Sequence, residues 1–264
     1  MPTTIRRDDL IETVRAALQY ISYYHPADYI AHLARAYAAE QGPAAKDAIA
    51  QILTNSKMCA EGKRPICQDT GIVNVFLEVG MEVRWEGFGP GGLQEAVDEG
   101  VRRAYLDPDN KLRASVVKDP LFSRANTKDN TPAVLATTIV PGDKLGVGVA
   151  AKGGGSEMKS TFKMLKASDS LVDWVLETVP TMGAGWCPPG MLGIGVGGTA
   201  EQAMAMGKEA LMDDIDMYEL LQRGQYQRLA NPLALKIDQK MPLELYEARN
   251  AVQIARAVGA DRFA

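Results

Sequence analysis

Apolar residues in the first sixty positions recur at the three- and four-residue spacing of amphipathic helices. In residues 8–24 the apolar positions are Leu10, Ile11, Val14, Ala17, Leu18 and Ile21. The His25-Pro26 pair is expected to end this helix, because proline lacks the amide that a helix interior requires. Residues 26–41 and 44–58 repeat the pattern. The N-terminal segment is therefore predicted to be helical.

After residue 70 the pattern changes to short runs rich in β-branched residues, which favour strands. The predicted strands cover residues 72–79, 81–85, 112–117, 133–140, 144–151 and 191–196, and the predicted helices cover residues 93–105, 170–179, 200–212 and 244–258. A turn is expected at Pro141-Gly142-Asp143. Strands interrupted by helices indicate a mixed α/β (α+β) fold, in which a helical N-terminal segment is followed by mixed sheets flanked by helices.

Composition and charge favour an ordinary globular chain, with 46% hydrophobic and 23% charged residues. A net charge of -4, without a basic face, argues against nucleic-acid binding. No apolar run reaches the roughly 20 residues of a membrane-spanning helix, and the N-terminus lacks the apolar core of a signal peptide. Three cysteines, an odd number, do not suggest a disulfide framework. We therefore expect a cytoplasmic protein with reduced thiols and no membrane partner.

Three polar or glycine-rich segments are candidates for chemistry. They are RPICQDTGI (64–72), AAKGGGSEMKS (150–160) and GAGWCPPGMLGIGVGGTAE (183–201). The rigid, glycine-flanked turn around Cys187 makes that thiol a credible metal ligand. Cys59, Cys67 and Cys187 form no C-x-x-C pair, which argues against structural zinc and a ferredoxin-type cluster. For each cysteine the alternative is a small buried hydrophobe.

The second and third segments differ in what their glycines predict. Three glycines after a predicted strand let a ligand approach the backbone, and Lys152 and Lys159 beside them favour an anionic ligand over a tight turn. In the third segment, Gly193-x-Gly195-x-x-Gly198 formally matches a dinucleotide fingerprint. Those glycines interrupt the candidate strand and no second strand follows, so helix packing or anion contact explains them better than NAD binding.

Acid–base chemistry is expected from Asp69, which follows a possible ligand and precedes a glycine. His25 and His32 lie in the helical opening, far in sequence from the glycine-rich segments, and are interpreted as structural or surface residues. Arg113 is a candidate for holding a substrate carboxylate, because guanidinium matches that group bidentately. A solvent-exposed arginine on an edge strand is the alternative.

Taken together and in order, these segments resemble the iron–sulfur class I fumarate hydratases and the related α subunits of L(+)-tartrate dehydratase. The matching pieces are ICQDTGI, LRASVV, NTKDNTPA, AAKGGGSEMKS and GAGWCPPGMLGIGVGGTAE. The resemblance is dense over residues 4–217. It implies a homodimeric hydro-lyase that interconverts fumarate and L-malate, using a [4Fe-4S] cluster with three cysteine ligands and one iron open to substrate.

The resemblance also implies roles for individual residues. Cys67 and Cys187 occupy the first two ligand positions of the cluster, and Asp69 takes part in proton transfer. The expected substrate-binding residues are Gln68, Arg113, Lys152 and Gly155, with Arg113 and Lys152 on a carboxylate and Gly155 contributing its backbone N–H.

The sequence departs from the family in its C-terminal part. The family's ELYE…NA helix matches at residues 244–251, but the glycine-rich segment and third ligand cysteine that follow it in the family are not in this sequence. Residues 226–264 match poorly. Cys59 lies outside the ligand positions and is either a substitute ligand or a packed thiol. We therefore expect residues 1–264 to form one cluster-binding domain that needs a C-terminal domain or a β subunit.

Two other functions stay open from the sequence. The same fold could dehydrate L(+)-tartrate or another 2-hydroxy dicarboxylate, with the pocket residues deciding between substrates. A catalytically inert chain could instead bind a dicarboxylate through Lys152, Gly155 and Arg113, or serve as an assembly subunit.

Overall fold

The computed structural model describes residues 2–186 and 190–212. Its helices are α1 (Arg7–Tyr23), α2 (Ala27–Ala39), α3 (Pro43–Gly62), α4 (Gly92–Tyr105), α5 (Gly154–Glu157), α6 (Leu171–Thr178) and α7 (Ala200–Glu209), with 3-10 segments at Val179–Trp186 and Ala210–Met212. Its strands are β1 (Thr4–Arg6), β2 (Ile72–Gly80), β3 (Arg84–Glu86), β4 (Val134–Val140) and β5 (Leu145–Lys152). The predicted α/β class and the helical N-terminal segment are confirmed. The helix predicted over residues 244–258 lies outside the described residues.

The chain divides into two compact units. The first contains Met1–Tyr24 and Asn55–Gly154, and the second contains His25–Thr54 with the described residues from Gly155 onward. The expectation of a single cluster-binding domain over residues 1–264 stays a prediction. No helix in the described part of the chain is long and apolar enough to cross a membrane.

The first unit is built around a three-stranded sheet in the order β4-β2-β5. Strand β2 pairs in parallel with β4 and antiparallel with β5, so that Ile72 lies opposite Lys152 and Val79 opposite Leu145. Its alternate residues Val73, Val75, Leu77 and Val79 are buried. This period of two places one face of β2 in the core, as an amphipathic strand requires.

Helices α1 and α4 contribute their apolar faces to the same core cluster. The buried helical residues include Leu10, Ile11, Val14, Leu18, Val97 and Val101. The two helices approach closely at Gly100, where a Cβ atom would lie 2.8 Å from the carbonyl oxygen of Ile11 and 2.8 Å from Cβ of Val14. Glycine is therefore required at this helix contact.

The second unit has two smaller apolar clusters. Leu33, Ala36 and Ile49 form one between α2 and α3, and Val175, Val179 and Trp186 form the other. Helix α6 begins where the Ser170 hydroxyl accepts a hydrogen bond from the Asp173 N–H at 3.2 Å. Helix α7 begins with a capping box between Thr199 and Gln202.

The strand predicted over residues 112–117 is wrong. The segment forms only an isolated bridge between Val117 and Asn126. Its backbone bonds instead to side chains: Asn130 Oδ1 accepts from the N–H groups of Ser115 at 2.7 Å and Val116 at 3.1 Å. A side-chain amide thus takes the place that a neighbouring strand would occupy.

The strand predicted over residues 191–196 is also wrong. A Cβ on Gly193 would lie 1.9 Å from the carbonyl oxygen of Gly207, and one on Gly195 would lie 1.9 Å from that of Ala203. The backbone here packs directly against α7, which only glycine permits. Helix packing, anion contact and NAD binding were the three explanations for these glycines, and the structure shows packing against a helix.

Candidate functional site

The cysteine loop, defined as Cys67–Gly71, lies between the end of α3 and the start of β2 in the first unit. Cys67, Gln68 and Asp69 are exposed. The approach to the loop is fixed by backbone bonding at Ile66, whose N–H donates to the Ser22 carbonyl at 2.8 Å and whose carbonyl accepts from Asn55 Nδ2 at 2.9 Å. The loop therefore presents polar side chains to solvent from an anchored backbone.

The two cysteines of the first unit have different environments. Cys67 is an exposed free thiol, and its Sγ accepts a hydrogen bond from the Asp69 N–H at 3.4 Å. Cys59 is a buried free thiol, and its Sγ donates toward Asn55 Oδ1 at 3.5 Å and the Pro65 carbonyl at 3.6 Å. The Cys67 sulfur is thus exposed and accepts an N–H bond, whereas the contacts of Cys59 are those of a packed thiol.

Asp69 contacts the glycine-rich end of β5. A Cβ on Gly153 would lie 2.8 Å from Asp69 Oδ2, so the absence of a side chain makes room for the carboxylate. Gly71 has φ 73°, and a Cβ there would lie 2.2 Å from the carbonyl carbon of Lys152. The loop and the end of β5 are thus held backbone to backbone, with Asp69 beside the glycines that follow Lys152.

Arg113 is exposed and belongs to the segment 112–117, which we call the Arg113 segment. The Thr70 hydroxyl donates a hydrogen bond to the Arg113 carbonyl. This bond joins the cysteine loop to the Arg113 segment, so the first unit brings together the segments that carry the proposed residues Cys67, Gln68, Asp69, Arg113 and Lys152.

The remaining site residues belong to the second unit or lie outside the description. Gly155 is in the second unit, where a Cβ would lie 2.6 Å from the carbonyl oxygen of Gly185. A side chain at Gly155 would therefore clash with the backbone. Cys187 lies outside the described residues. The roles predicted for both residues stay predictions.

Sequence reasoning assigned no role to Asn130, although the motif NTKDNTPA that contains it had been recognised. Asn130 is completely buried, and its Nδ2 donates to the Gly71 carbonyl at 2.9 Å. Its Oδ1 accepts from the Arg113 segment, as described above. A polar residue in a polar stretch, between Asp129 and Thr131, gives no pattern that predicts burial, and only the fold reveals these partners.

Tyr105 was also missed. This buried residue at the end of α4 donates its phenolic O–H to the Thr70 carbonyl at 3.1 Å. Burial raises the pKa of Tyr105, and the negative charge of Asp69 raises it further. The phenol consequently stays protonated and keeps its donor at neutral pH.

The histidines have packing contacts in the second unit. His25 stacks at 4.8 Å between ring centroids on Tyr29, and burial lowers its pKa. His32 is buried on α2. These environments agree with the structural interpretation of both residues.

Within residues 2–186 and 190–212, no three His, Cys, Asp or Glu side chains are grouped so as to hold a metal ion. The exposed, N–H-bonded thiol of Cys67 suits one thiolate ligand of an iron–sulfur cluster. The second proposed ligand, Cys187, lies outside those ranges. The described chemistry therefore fits one ligand of the set.

A family described as fumarate hydratase (Fumerase) matches residues 11–262, which includes most of the C-terminal part. A Methanocaldococcus jannaschii protein provisionally named L(+)-tartrate dehydratase subunit alpha is 34% identical over 79% of this chain and 72% of its own length. The anaerobic class I fumarate hydratase of Escherichia coli is 32% identical over 58% of this chain. The alpha subunit of L(+)-tartrate dehydratase from Escherichia coli is 27% identical over 78% of this chain and 68% of its own.

The aligned region spans 28% of the Escherichia coli fumarate hydratase but more than two thirds of both alpha subunits. All these relatives are named as enzymes that add or remove water. Because the family match covers nearly the whole sequence, the chain belongs to the fumarate hydratase (Fumerase) family.

Proposed function

We propose that this chain is the cluster-binding part of a hydro-lyase that interconverts fumarate and L-malate. The observation that supports it most is the meeting of the cysteine loop, the Arg113 segment and the end of β5 in one unit. This meeting collects a thiol, a carboxylate and a guanidinium-bearing segment that sequence reasoning had assigned to one site. Family membership supports the same reaction class.

Cys67 and Cys187 would hold a [4Fe-4S] cluster, with the third thiolate supplied by Cys59 or from beyond this sequence. When bound, the cluster would supply a Lewis-acidic iron that stabilises the hydroxide leaving from C2 of malate. The exposed position of Cys67 supports its role as ligand. The packed position of Cys59 makes it the poorer donor of the two.

The protein groups divide the remaining tasks. The Asp69 carboxylate removes the C3 proton of malate and returns it during hydration of fumarate. The Arg113 guanidinium binds a substrate carboxylate through two N–H donors, assisted by the Lys152 ammonium. The Gln68 amide and the Gly155 N–H orient the substrate by further hydrogen bonds. A 2-hydroxy dicarboxylate suits this set because it carries a carboxylate for the cationic side chains and a C3 proton for the base to remove.

A specific observation favours tartrate dehydration as the second candidate. The alignment covers 72% of the tartrate-dehydratase-like relative but 28% of the single-chain fumarate hydratase, which fits an α subunit acting with a β partner. In both substrates a hydroxide leaves C2 and a proton leaves C3, and C3 of tartrate carries a further hydroxyl. The proposal therefore includes assembly with a C-terminal domain or β subunit, and a homodimer of the resulting enzyme.

The test is anaerobic reconstitution of the full chain with iron and sulfide, followed by visible absorption. Wild type is expected to develop broad cluster absorption and Cys67→Ser to lose most of it, while Cys59→Ser loses it only if Cys59 supplies the third thiolate. Turnover of malate, fumarate and tartrate is then compared with and without a β-type partner. If wild type and Cys67→Ser absorb alike, the cluster assignment is wrong.

Binding of a dicarboxylate by the metal-free chain, with no turnover after reconstitution and partner addition, would support the inert-subunit function instead. Preferential turnover of tartrate would move the assignment to tartrate dehydratase.

A further inference from the structure

Among the described residues, Asn130 is a buried amide that bonds to both of the loops carrying the proposed acid–base and carboxylate-binding groups. It is 0% exposed and has φ 62°, a left-handed conformation that asparagine and aspartate tolerate better than most residues. Burying a side-chain amide costs free energy unless it is hydrogen-bonded. The hydrogen bonds of Asn130 therefore explain how its amide can be completely buried.

The amide of Asn130 bridges two separate backbones. Its Nδ2 donates to the carbonyl of Gly71 in the cysteine loop at 2.9 Å. Its Oδ1 accepts from the N–H groups of Ser115 and Val116 in the Arg113 segment at 2.7 and 3.1 Å. One side chain thus satisfies three backbone groups that belong to no strand or helix.

Each bridged group is close to a proposed functional residue. Gly71 comes two residues after Asp69, and Ser115 comes two residues after Arg113. Movement of the Gly71 carbonyl would shift Asp69, and movement of the Ser115 amide would shift Arg113, because each pair is only two residues apart in the chain. The bridge therefore determines how far the Asp69 carboxylate stands from the Arg113 backbone.

We propose that Asn130 is a positioning residue: its amide joins the cysteine loop to the Arg113 segment and so sets the relative placement of Asp69 and Arg113 for catalysis. This inference rests on the proposed hydro-lyase function and adds a residue that acts through its neighbours. Two further bonds assist it, from the Thr70 hydroxyl to the Arg113 carbonyl and from the Ser115 hydroxyl to the Gly71 carbonyl at 3.4 Å.

The substitution Asn130→Asp isolates the bridge. Aspartate keeps the side-chain shape, the tolerance for positive φ and an acceptor for Ser115 and Val116. It loses the donor to Gly71 and places a carboxylate oxygen against that carbonyl. In the metal-free full chain, hydrogen exchange of the peptide covering residues 66–73 is expected to accelerate about 10-fold or more, because the loop opens more often.

In the reconstituted enzyme, the same substitution is expected to lower kcat/KM for the active substrate by about 10- to 100-fold, as expected when reacting groups are misplaced. Both parameters should change: KM rises because Arg113 is displaced, and kcat falls because Asp69 is displaced. A mere loss of folded enzyme would lower kcat and leave KM unchanged.

Asn126→Asp is the matched control. Asn126 also donates Nδ2 to a backbone carbonyl, that of Ala114 at 2.7 Å, and accepts from the Lys128 N–H at 2.7 Å. Neither of these two bonds involves the cysteine loop. We expect a similar loss of thermal stability from Asn126→Asp, with exchange over residues 66–73 close to that of wild type.

The outcomes separate the positioning role from the proposed function. The bridge is overturned if hydrogen exchange over residues 66–73 is unchanged in Asn130→Asp, or if Asn126→Asp accelerates it equally. The catalytic role of the bridge is overturned if Asn130→Asp leaves kcat and KM unchanged. If wild type turns over no dicarboxylate, the function fails together with that role, while exchange still decides whether Asn130 holds the loop. If Asn130→Asp does not fold, Asn130→Gly, which accepts the same φ, replaces it in every measurement.

Discussion

The two ends of strand β2 are held in different ways. At its C-terminal end, backbone groups bond to one another: Gly80 N–H to the Lys144 carbonyl at 2.8 Å, and Met81 N–H to the Val140 carbonyl at 2.9 Å. At its N-terminal end, side chains do this work, with Asn130, Tyr105 and Thr70 bonding to loop backbones. The same strand is therefore closed by backbone bonds to the β4–β5 connection at one end and by a set of side-chain bonds at the other.

The difference follows from what each end has to accomplish. Where the end of β2 meets the β4–β5 connection, backbone N–H and carbonyl groups satisfy one another. A loop that presents Cys67, Gln68 and Asp69 to solvent has irregular backbone, whose polar groups need partners from elsewhere. Side-chain bonds are thus expected at the end of β2 that holds the candidate functional site. Substitutions at the two ends should therefore differ in their effects on activity and stability.

The largest expected difference concerns the two aspartates at the opposite ends. Asp69→Asn removes the proposed base while retaining its shape, so kcat is expected to fall about 10²- to 10⁴-fold. Asp143→Asn changes a carboxylate in the turn between β4 and β5 and should leave kcat within about 2-fold, since surface changes away from a site have small effects. Steady-state turnover of fumarate by the reconstituted enzyme measures both, and equal losses would contradict the assignment of Asp69.

The second difference concerns two glycines with positive φ. A Cβ on Gly71, at φ 73°, would lie 2.2 Å from the Lys152 carbonyl carbon, whereas Gly142, at φ 105°, has no atom within 4 Å of that position. Gly142→Ala is expected to cost about 1–2 kcal/mol from backbone strain alone. Gly71→Ala adds overpacking of about 1–3 kcal/mol against backbone that cannot rotate away.

Urea denaturation of the metal-free chain measures both losses. Equal shifts of the two midpoints would mean that the cysteine loop can separate from the end of β5 without cost. Such a result would remove the close packing on which the placement of Asp69 depends.

Much of the fold was predictable because the signals are local. Helices α1 and α4 and strand β2 each carry an apolar face with the period of their own structure, and their cores are buried as that period requires. Residues 112–117 misled sequence reasoning because their β-branched composition favours a strand. Their backbone N–H groups bond to the side chain of Asn130, fifteen residues after Ser115, and no local sequence pattern predicts such a bond.

The candidate site was predictable in composition but not in assembly. The residue types at Cys67, Asp69 and Arg113 indicate their chemistry directly. The buried amide of Asn130 and the phenol of Tyr105 act through backbone carbonyls, which any sequence provides, so their partners cannot be read from residue identity. The geometry at Gly153 likewise depends on where the Asp69 carboxylate comes to lie.

A smaller effect is expected from two glycines on or beside β5. Gly153→Ala would place Cβ 2.8 Å from Asp69 Oδ2, and the carboxylate can turn away, so stability should change little while kcat falls about 10-fold through misplacement. Gly146→Ala, toward the other end, meets Glu78 atoms at 3.3 Å and should be nearly neutral. In an Asp69→Asn background, Gly153→Ala should cause no further loss, and an additive loss would show that Gly153 acts independently of Asp69.

The smallest effect concerns Tyr105 and appears only at alkaline pH. Because burial, and then the charge of Asp69, raise its pKa in the folded chain, the folded state retains the phenolic proton more strongly than the unfolded state does. This contribution to stability is complete below the ordinary tyrosine pKa of about 10 and is lost as pH rises toward the folded-state value. Tyr105→Phe has no such proton, so its free energy of unfolding should fall less steeply above that pH than that of wild type. Urea midpoints measured on both sides of the tyrosine pKa give the two slopes, and Tyr20→Phe, at a tyrosine that is 62% exposed, controls for the titration of other groups. Parallel slopes for wild type and Tyr105→Phe would mean that the phenol titrates alike in the folded and unfolded chain, and the buried environment assigned to it at this end of β2 would be wrong.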